Sequence, residues 1–314
     1  MARGMLIGGG VLALVSGLTA AVLAAIVIVA ETPEAHVERY LTALADDDLL
    51  AAAELAGLDP GTELPLGDEG TPTTVRVVTA QGRSEGRVAV TSVYGSDSDA
   101  ATVIFLLEPD TRLLGVIPQW RFVSAPVARI PVGVDNHDTV RVAGRTVTTP
   151  GPGATREVAA FIPARVSVTN AEPFLEAPAR VIRPRAIDPA PVILQAQPSE
   201  RLVREVQRQV TELLDLCAEQ SVLQPAGCPF GRVIDDDRVL NRPSWSRTDE
   251  PSVVLTRTAN AGRFGLEAAA TMQVEAEVQS LFDGSVTRLV DAVPAELMGI
   301  VVLGPDGPIV TVYP

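Results

Sequence analysis

Two histidines and two cysteines are the residues of this chain best suited to nucleophilic or acid–base chemistry. His36 and His137 are the only imidazoles in 314 residues, and a serine or cysteine nucleophile needs such a base beside it. His137 lies between Asn136 and Asp138, in a string typical of turns. The chain has no lysine and no His-Glu-x-x-His string, which excludes the Ser-x-x-Lys and zincin patterns. We therefore predict that the protein has no catalytic residues and is not an enzyme.

Three acidic strings, 46–48, 97–99 and 235–237, could offer oxygen ligands to Ca²⁺. None has the alternating ligands and distal glutamate of an EF-hand loop, so we expect solvated turns, with Asp48 as a helix cap. The string 150–155 is rich in Gly and Pro but lacks the lysine and the strand-to-helix context of a phosphate loop. The sequence predicts neither a metal site nor a cofactor.

The cysteines, Cys217 and Cys228, are eleven positions apart. A catalytic or metal-binding role would need partner residues, and both histidines are remote in sequence. Two cysteines at this spacing should pair in an oxidising compartment, and closing so short a loop contributes roughly 3 kcal/mol in the chain-entropy account. We predict a structural disulfide in an exported chain.

An uncharged stretch runs from Met5 to Ala30. As a helix it would be about 39 Å long, enough to cross a hydrocarbon core of ~30 Å. Arg3 precedes it and Glu31 follows it, so the positive-inside rule predicts a single-pass cell-membrane protein with a cytoplasmic N-terminus and an extracytoplasmic C-terminal bulk. The alternative is a cleaved signal peptide, whose apolar region is normally ~7–15 residues. Either interpretation exports the rest of the chain.

Net charge limits the class of partner. The chain carries a formal charge of −14, whereas nucleic-acid binding needs clustered Lys and Arg. We therefore expect no nucleic acid among its partners. Valine, alanine, threonine and proline are plentiful and aromatic residues are only 4% of the chain, a mixture typical of sheet-rich domains with stiff connections.

The block 32–125 follows the membrane segment, 1–31, and has the pattern of helices followed by a sheet. Thr32 can cap a helix beginning at Pro33, because the missing proline N–H costs nothing at that position, and 49–56 forms a second short helix. Five strand-like runs come after a loop that ends at Pro72: Val75–Thr79, Arg87–Tyr94, Ala101–Leu107, Leu113–Ile117 and Trp120–Ser124. This order predicts an α+β domain with helices on one face of an antiparallel sheet.

The block 126–185 contains short β segments and no helical pattern, so we predict a small all-β module. Its predicted strands are Ile130–Val134, Thr139–Val142, Arg145–Thr149, Val158–Phe161, Arg165–Thr169 and Ala179–Ile182. Residues 186–198 are rich in proline, and we expect them to act as a stiff linker.

The last block, 199–314, again begins with a helix. Ser199 is a suitable N-cap, and apolar residues recur at helical spacing up to Cys217. Strand candidates follow at Ser252–Thr258, Phe264–Leu281, Val286–Val290, Leu297–Leu303 and Pro308–Tyr313. The string 304–307, Gly-Pro-Asp-Gly, is a strong hairpin signal. Pro-x-Trp strings at 118–120 and 243–245 leave duplication of the two α+β blocks open, with chance as the alternative.

Parts of the chain resemble known envelope modules. The segment 33–44, PEAHVERYLTAL, with its following strands, resembles the cystatin-like or nuclear-transport-factor-like cones of bacterial envelope proteins. The strings 140–147 and 161–168 resemble the strand–turn–strand units of a PEGA-type (Ig-like) β module, although Ala164 stands where that module has glycine. The succession of anchor, cone, β module and cone is similar to TcaA-type proteins of Gram-positive bacteria. The resemblance implies extracytoplasmic binding or scaffolding without catalytic residues.

We therefore expect a non-enzymatic, membrane-anchored binding or scaffolding protein whose partner is an envelope protein or a wall component. Glu267, Glu275 and Glu277 alternate onto one face of the long strand, which meets water or a partner strand. Two alternatives stay open. One is an exported enzyme, which would need convergent carboxylates or a His-Asp pair in the pocket of the C-terminal cone. The other is an accessory subunit of a membrane complex, packed through Gly8–Gly10.

Overall fold

The protein has a mixed α+β fold that is mostly sheet. The computed structural model describes residues 32–69, 74–82, 86–96, 100–113, 117–235 and 237–313, and within these ranges it contains three helices and nineteen strands. No helix in these ranges has the length and apolar character needed to cross a membrane. The predicted anchor, 1–31, lies outside the described residues.

Two helices open the N-terminal domain: α1 (Pro33–Ala45) and α2 (Leu49–Leu55). Both begin where the sequence predicts, because Thr32 Oγ1 accepts the N–H of Ala35 at 3.2 Å and Asp48 Oδ1 accepts that of Ala51 at 3.0 Å. The apolar stripe of α1 is buried against the sheet: Val37, Tyr40, Leu41 and Leu44.

The N-terminal sheet is an antiparallel meander in the order β1-β2-β3-β4. Its strands are β1 (Val75–Gly82), β2 (Val88–Tyr94), β3 (Ala101–Leu113) and β4 (Ile117–Phe122). The separate strand predicted at 113–117 is wrong: β3 continues past Pro109, where a register shift absorbs the proline, and its pairing with β4 ends at Leu113. Five predicted runs therefore become four strands.

The middle of the chain forms a β-sandwich of two sheets, which we call the sandwich. One sheet has the order β12-β5-β8 and the other β11-β9-β6-β7. Their strands are β5 (Val127–Val134), β6 (Thr139–Val142), β7 (Arg145–Thr148), β8 (Thr155–Phe161), β9 (Val166–Asn170), β11 (Arg180–Ile182) and β12 (Val192–Leu194). β10 (Leu175–Glu176) and β13 (Gln197–Pro198) pair with each other beside it.

The predicted linker, 186–198, is largely part of the sandwich. Residues 192–194 pair in parallel with 132–134 of β5, and Asp135 Oδ1 accepts the N–H of Ala196 at 2.6 Å. Leu194 and Ala196 are buried. Proline favours extended backbone, which suits a stiff spacer and a strand equally. The linker prediction is wrong because the partner strand lies about sixty positions earlier in the chain.

A connected segment ties the N-terminal domain to the sandwich. The N–H of Leu66 bonds to Ala159 O at 2.9 Å, and Leu66 O accepts the N–H of Phe161 at 3.0 Å, so Leu66 forms a parallel bridge on β8. Farther along, Asp68 Oδ1 accepts the N–H of Arg165 at 2.8 Å. The Tyr40 hydroxyl, fully buried, reaches across the junction to Ile162 O at 2.7 Å.

The C-terminal domain packs one helix, α3 (Glu200–Ala218), on a six-stranded antiparallel sheet. Its strands are β14 (Asp237–Val239), β15 (Ser244–Arg247), β16 (Ser252–Arg257), β17 (Arg263–Ser280), β18 (Val286–Gly304) and β19 (Gly307–Tyr313). β14, β15 and β16 share one edge of β17, β18 pairs along the other, and β19 pairs with the C-terminal part of β18.

Several sequence predictions for this domain change in the structure. The predicted strands 286–290 and 297–303 are a single strand that runs through Pro294, and β14 and β15 had no sequence prediction. The hairpin at 304–307 is confirmed, with Gly307 at φ 128°. The two Pro-x-Trp strings occupy different places: Trp120 lies in the last strand of its sheet, and Trp245 in a short strand paired with the middle of β17.

The predicted disulfide is confirmed. Cys217 at the end of α3 bonds to Cys228, with a Cα–Cα distance of 5.8 Å. The loop that it closes packs back on the sheet, since Trp245 Nε1 donates to Val222 O at 2.8 Å and the Trp245 ring lies 4.8 Å from that of Phe230. The disulfide therefore anchors the connection between α3 and β14.

Candidate partner-binding groove

The interior of the C-terminal domain is filled by its own side chains. α3 presents the buried residues Leu202, Val206, Val210 and Leu214. The facing row of β17 and β18 is equally buried: Phe264, Leu266, Met272, Val274, Leu297 and Val301. These residues make the interior of this domain a packed core in which carboxylates do not converge.

A groove lies beside this core, between α3 and β19; we call it the α3–β19 groove. Its volume is about 840 Å³, and its walls are mainly apolar: Val210, Leu213, Leu216, Pro229, Val310, Val312 and Tyr313. Leu216, on the wall formed by α3, is 62% exposed. Large side chains left uncovered beside a groove are typical of surfaces that bind other molecules.

β19 forms one wall and is the edge strand of its sheet. Leu303 N donates to Gly262 O at 2.9 Å. The backbone groups of the odd-numbered residues of β18 therefore point toward β17, and those of the even-numbered residues point toward β19. Pairing alternates in an antiparallel ladder, so the backbone groups of Val310 and Val312 point to the open edge. Gln209 Nε2 donates to Pro308 O at 2.9 Å, which already occupies the first edge carbonyl.

The open edge continues beyond β19. The last pair between β18 and β19 joins Met298 to Tyr313, whereas β18 extends back to Val286. By the same alternation, the nitrogen of Pro294 lies on this edge. Proline in strands is found mainly at such edge positions, because it has no N–H to donate. Outward backbone groups are therefore available on β19 and on the uncovered part of β18, except at Pro294, which has no N–H to donate.

Carboxylates line the groove. Glu212 lies on the helix side and Glu296 on the sheet side. On α3, Arg208 bonds to both Glu205 and Glu212. Hydrogen bonds from Arg208 and Gln209 lower the pKa of Glu205 from 4.5 to about 2. Arg208 thus offsets the charge of Glu212, and Glu296 is the other carboxylate of the groove lining.

The histidines have structural contacts. His137 Nδ1 accepts the N–H of Thr139 at 3.1 Å, and its Nε2 lies 3.4 Å from Glu172 Oε2, within a turn of the sandwich. His36 is buried in the N-terminal domain, with Nε2 3.1 Å from Leu55 O. The two imidazoles thus belong to different domains.

The acidic strings are dispersed. Asp48 caps α2 as predicted, Asp237 lies in β14, and 97–99 and Asp236 lie outside the described residues. Within the described ranges, no three or more His, Cys, Asp or Glu side chains cluster as metal ligands do. The absence of metal and cofactor stays a prediction.

The three glutamates of the long strand β17 each make a different contact. Glu275 forms an ion pair with Arg288 of β18, and the hydrogen bond from Arg288 lowers the pKa of Glu275. The Glu277 N–H donates to Asn241 Oδ1 at 2.7 Å. Glu267 pairs across the sheet with Met298, which is 66% exposed. These side chains lie on the face of the sheet opposite α3.

Sequence reasoning missed two features. Leu216 falls outside the main apolar stripe of α3; its spacing of three from Leu213 was the available signal. The string 82–86, Gly-Arg-Ser-Glu-Gly, also has the Gly-x-Ser-x-Gly pattern of hydrolase nucleophiles. That pattern requires a strand followed by a helix, whereas here it connects β1 to β2 of a meander; residues 83–85 lie outside the described ranges.

Comparison with known proteins gives little further guidance. No protein-family profile matches the chain, and no curated protein matches it. Among solved structures, the chain is similar to an NTF2-like protein involved in plasmid conjugation, at 10% identity over 88% of this chain and 93% of that one, with a TM-score of 0.15. A TM-score this low assigns neither a shared fold nor a function.

Proposed function

We propose that the protein is a non-enzymatic binding or scaffolding protein of the bacterial cell envelope, held in the membrane by residues 5–30. Its C-terminal domain would bind an extended segment of a partner polypeptide in the α3–β19 groove. The observation that carries this proposal is the combination of apolar walls with the unpaired backbone edge of β19. The two α+β domains would correspond to cystatin-like cones and the sandwich to a PEGA-type module.

Two features support an extracytoplasmic location. The disulfide between Cys217 and Cys228 is of the kind that persists in oxidising compartments. The uncharged stretch 5–30 is long enough to span a bilayer. The proposal therefore places the whole of 32–314 outside the cell.

A polypeptide suits the groove better than a small molecule. The space is open along a strand edge, and an added strand obtains its affinity from backbone hydrogen bonds and its specificity from alternate side chains. Val310 and Val312 offer the backbone groups, while Leu213 and Leu216 offer apolar contact. Glu296 favours a partner segment that carries a basic residue among its apolar ones.

Site-specific photo-crosslinking in intact cells tests the proposal. A photoreactive residue at Leu216 should capture one defined protein, and the same residue at Val254, 55% exposed on the opposite sheet face, should not. Val312→Pro removes only an N–H that points to the open edge, so it should abolish capture and leave folding intact. Equal capture from Val254, or capture that Val312→Pro leaves unchanged, contradicts the groove as the site.

A second measurement tests the location. Ser246 is exposed, so a membrane-impermeant maleimide added to intact cells should label Ser246→Cys. Labelling only after lysis contradicts an extracytoplasmic C-terminal domain.

A further inference from the structure

A second cleft opens on the sandwich, between the edge strands of its two sheets. β7 ends one sheet and β8 ends the other, and together with residues 63–66 they enclose about 460 Å³. Its apolar floor consists of Leu64, Leu66, Val142, Val147 and Val158. We call it the β7–β8 cleft.

Two arginines enter this cleft from opposite sheets. Arg145 of β7 pairs with Val142, and Arg156 of β8 pairs with Val132. Both valines are completely buried between the sheets. Residues directly opposite in a sheet share a face, so both arginines lie on the inward-facing rows, at the mouth of the sandwich.

These guanidinium groups have no counterion in the described part of the chain. Neither makes a hydrogen bond or an ion pair with a described residue, and both line the same cleft as Glu63 and Glu157 without bonding to them. Both guanidinium groups are exposed at the mouth of the cleft, so a carboxylate of another molecule can reach them. Arginine is also the side chain whose planar fork best matches a carboxylate.

The chain itself pairs one residue, Leu66, with the edge of β8. Leu66 bonds to Ala159 O and to the N–H of Phe161, which establishes that the odd residues of β8 point outward. The next outward groups are the N–H of Ala159 and both backbone groups of Glu157. Within the described ranges these groups have no backbone partner beyond the sheet, so the same mode of pairing is available to a second segment that passes Leu64.

We propose that the β7–β8 cleft binds an extended acidic segment of another polypeptide, which adds to β8 in line with Leu66. Its carboxylates contact Arg145 and Arg156, and its alternate apolar side chains lie on Val147 and Val158. Side chains on one face of a strand repeat every two residues, so the segment alternates acidic and aliphatic residues. This site is separate from the α3–β19 groove, and its two arginines favour acidic side chains.

The test uses the full chain in detergent and a fluorescently labelled, acetylated peptide of alternating valine and aspartate. Fluorescence anisotropy should show saturable binding that weakens as salt is raised. The corresponding valine–lysine peptide should not bind. Hydrogen exchange of the segment 155–161 should slow when the aspartate peptide is present.

Two variants distinguish the contributions. Arg145→Gln together with Arg156→Gln should weaken binding at least about tenfold, whereas Arg141→Gln, an exposed arginine on the outer face of β6, should leave it unchanged. Glu157→Pro keeps both arginines and removes the outward N–H together with the carboxylate, so it should bind the peptide more weakly than Glu157→Ala, which removes the carboxylate alone. Should the double variant not fold, Glu157→Pro carries the test.

Equal affinity for the lysine peptide, unchanged binding by these variants, or no binding at all each overturns the proposal. The arginines would then be inward-pointing charges that keep the edge of β8 from pairing with other chains. An adventitious interaction with the detergent would appear as identical anisotropy for both peptides, which is also a negative result.

Discussion

The Tyr40 hydroxyl offers a direct test of how the N-terminal domain is attached to the sandwich. Tyr40 is completely buried, and its Oη lies 2.7 Å from Ile162 O and 3.2 Å from Pro126 O. Pro126 O also accepts the N–H of Ile162 at 2.8 Å. In Tyr40→Phe, Pro126 O therefore keeps a donor, whereas Ile162 O loses the Tyr40 hydroxyl that bonds to it.

Tyr40→Phe should lower the free energy of unfolding by about 1.5 kcal/mol, because it removes a hydrogen bond and leaves a buried carbonyl without that donor. This is roughly a tenfold change in the folding equilibrium, and with a urea dependence of about 3 kcal/mol per molar it lowers the unfolding midpoint by about 0.5 M. Burial raises the pKa of Tyr40 well above its ordinary value. The hydroxyl donor, and hence the effect, should persist at alkaline pH.

Urea unfolding followed by tryptophan fluorescence measures this shift. In a Trp245→Phe background, Trp120 reports on the N-terminal domain. Tyr313→Phe is the control, because the Tyr313 side chain is half exposed. A Tyr40→Phe midpoint within about 0.1 M of that control would refute the argument that this hydroxyl joins the two domains.

Three further perturbations follow from the same reasoning. Cys217→Ser with Cys228→Ser should lower the free energy of unfolding by about 3 kcal/mol, measured by urea unfolding; a change that reducing agent fails to reproduce in the native chain contradicts the disulfide account. Glu205, with its pKa lowered to about 2, contributes stability above its unfolded pKa that is lost as pH falls from 4.5 toward 2. Thermal unfolding should therefore separate Glu205→Gln from the native chain at pH 7, and the two curves should converge near pH 2; a constant separation counts against it. Gly299→Ala would place a Cβ 2.2 Å from Thr311 O, so it should displace β19 and lower the free energy of unfolding by about 2 kcal/mol. Gly151→Ala is the control, because no atom lies within 4 Å of its Cβ position. Equal melting temperatures for the two variants would contradict the close packing of β19 on β18.

Short-range signals explain what could be predicted. Ser199 and Thr32 cap helices through hydrogen bonds to residues three positions later, and the hairpin at 304–307 depends on four consecutive residues. The disulfide needed only the count and spacing of the cysteines. Each of these interactions is contained in a few neighbouring positions, so residue type is sufficient evidence for it.

Long-range pairing explains most of the errors. The proline-rich composition of 186–198 predicts a linker, whereas the strand partner of residues 192–194 is 132–134, sixty positions away. The local pattern predicts two strands at 286–290 and 297–303, whereas β18 is continuous through Pro294, whose nitrogen faces an open edge. The groove depends on β19 lying beside α3, a contact between Gln209 and Pro308 across 99 positions.

By itself the sequence determined the α+β class, the caps and stripe of α3, the terminal hairpin and the disulfide, because each rests on local backbone preference or on residue count. Only the tertiary structure decided which strand edges stay open and which side chains meet there. Alternation along β7 places Arg145 on the same face as Val147, yet the presence of Arg156 opposite it depends on how two sheets stack. Strand register and sheet packing are properties of distant segments acting together, and local sequence does not encode them separately.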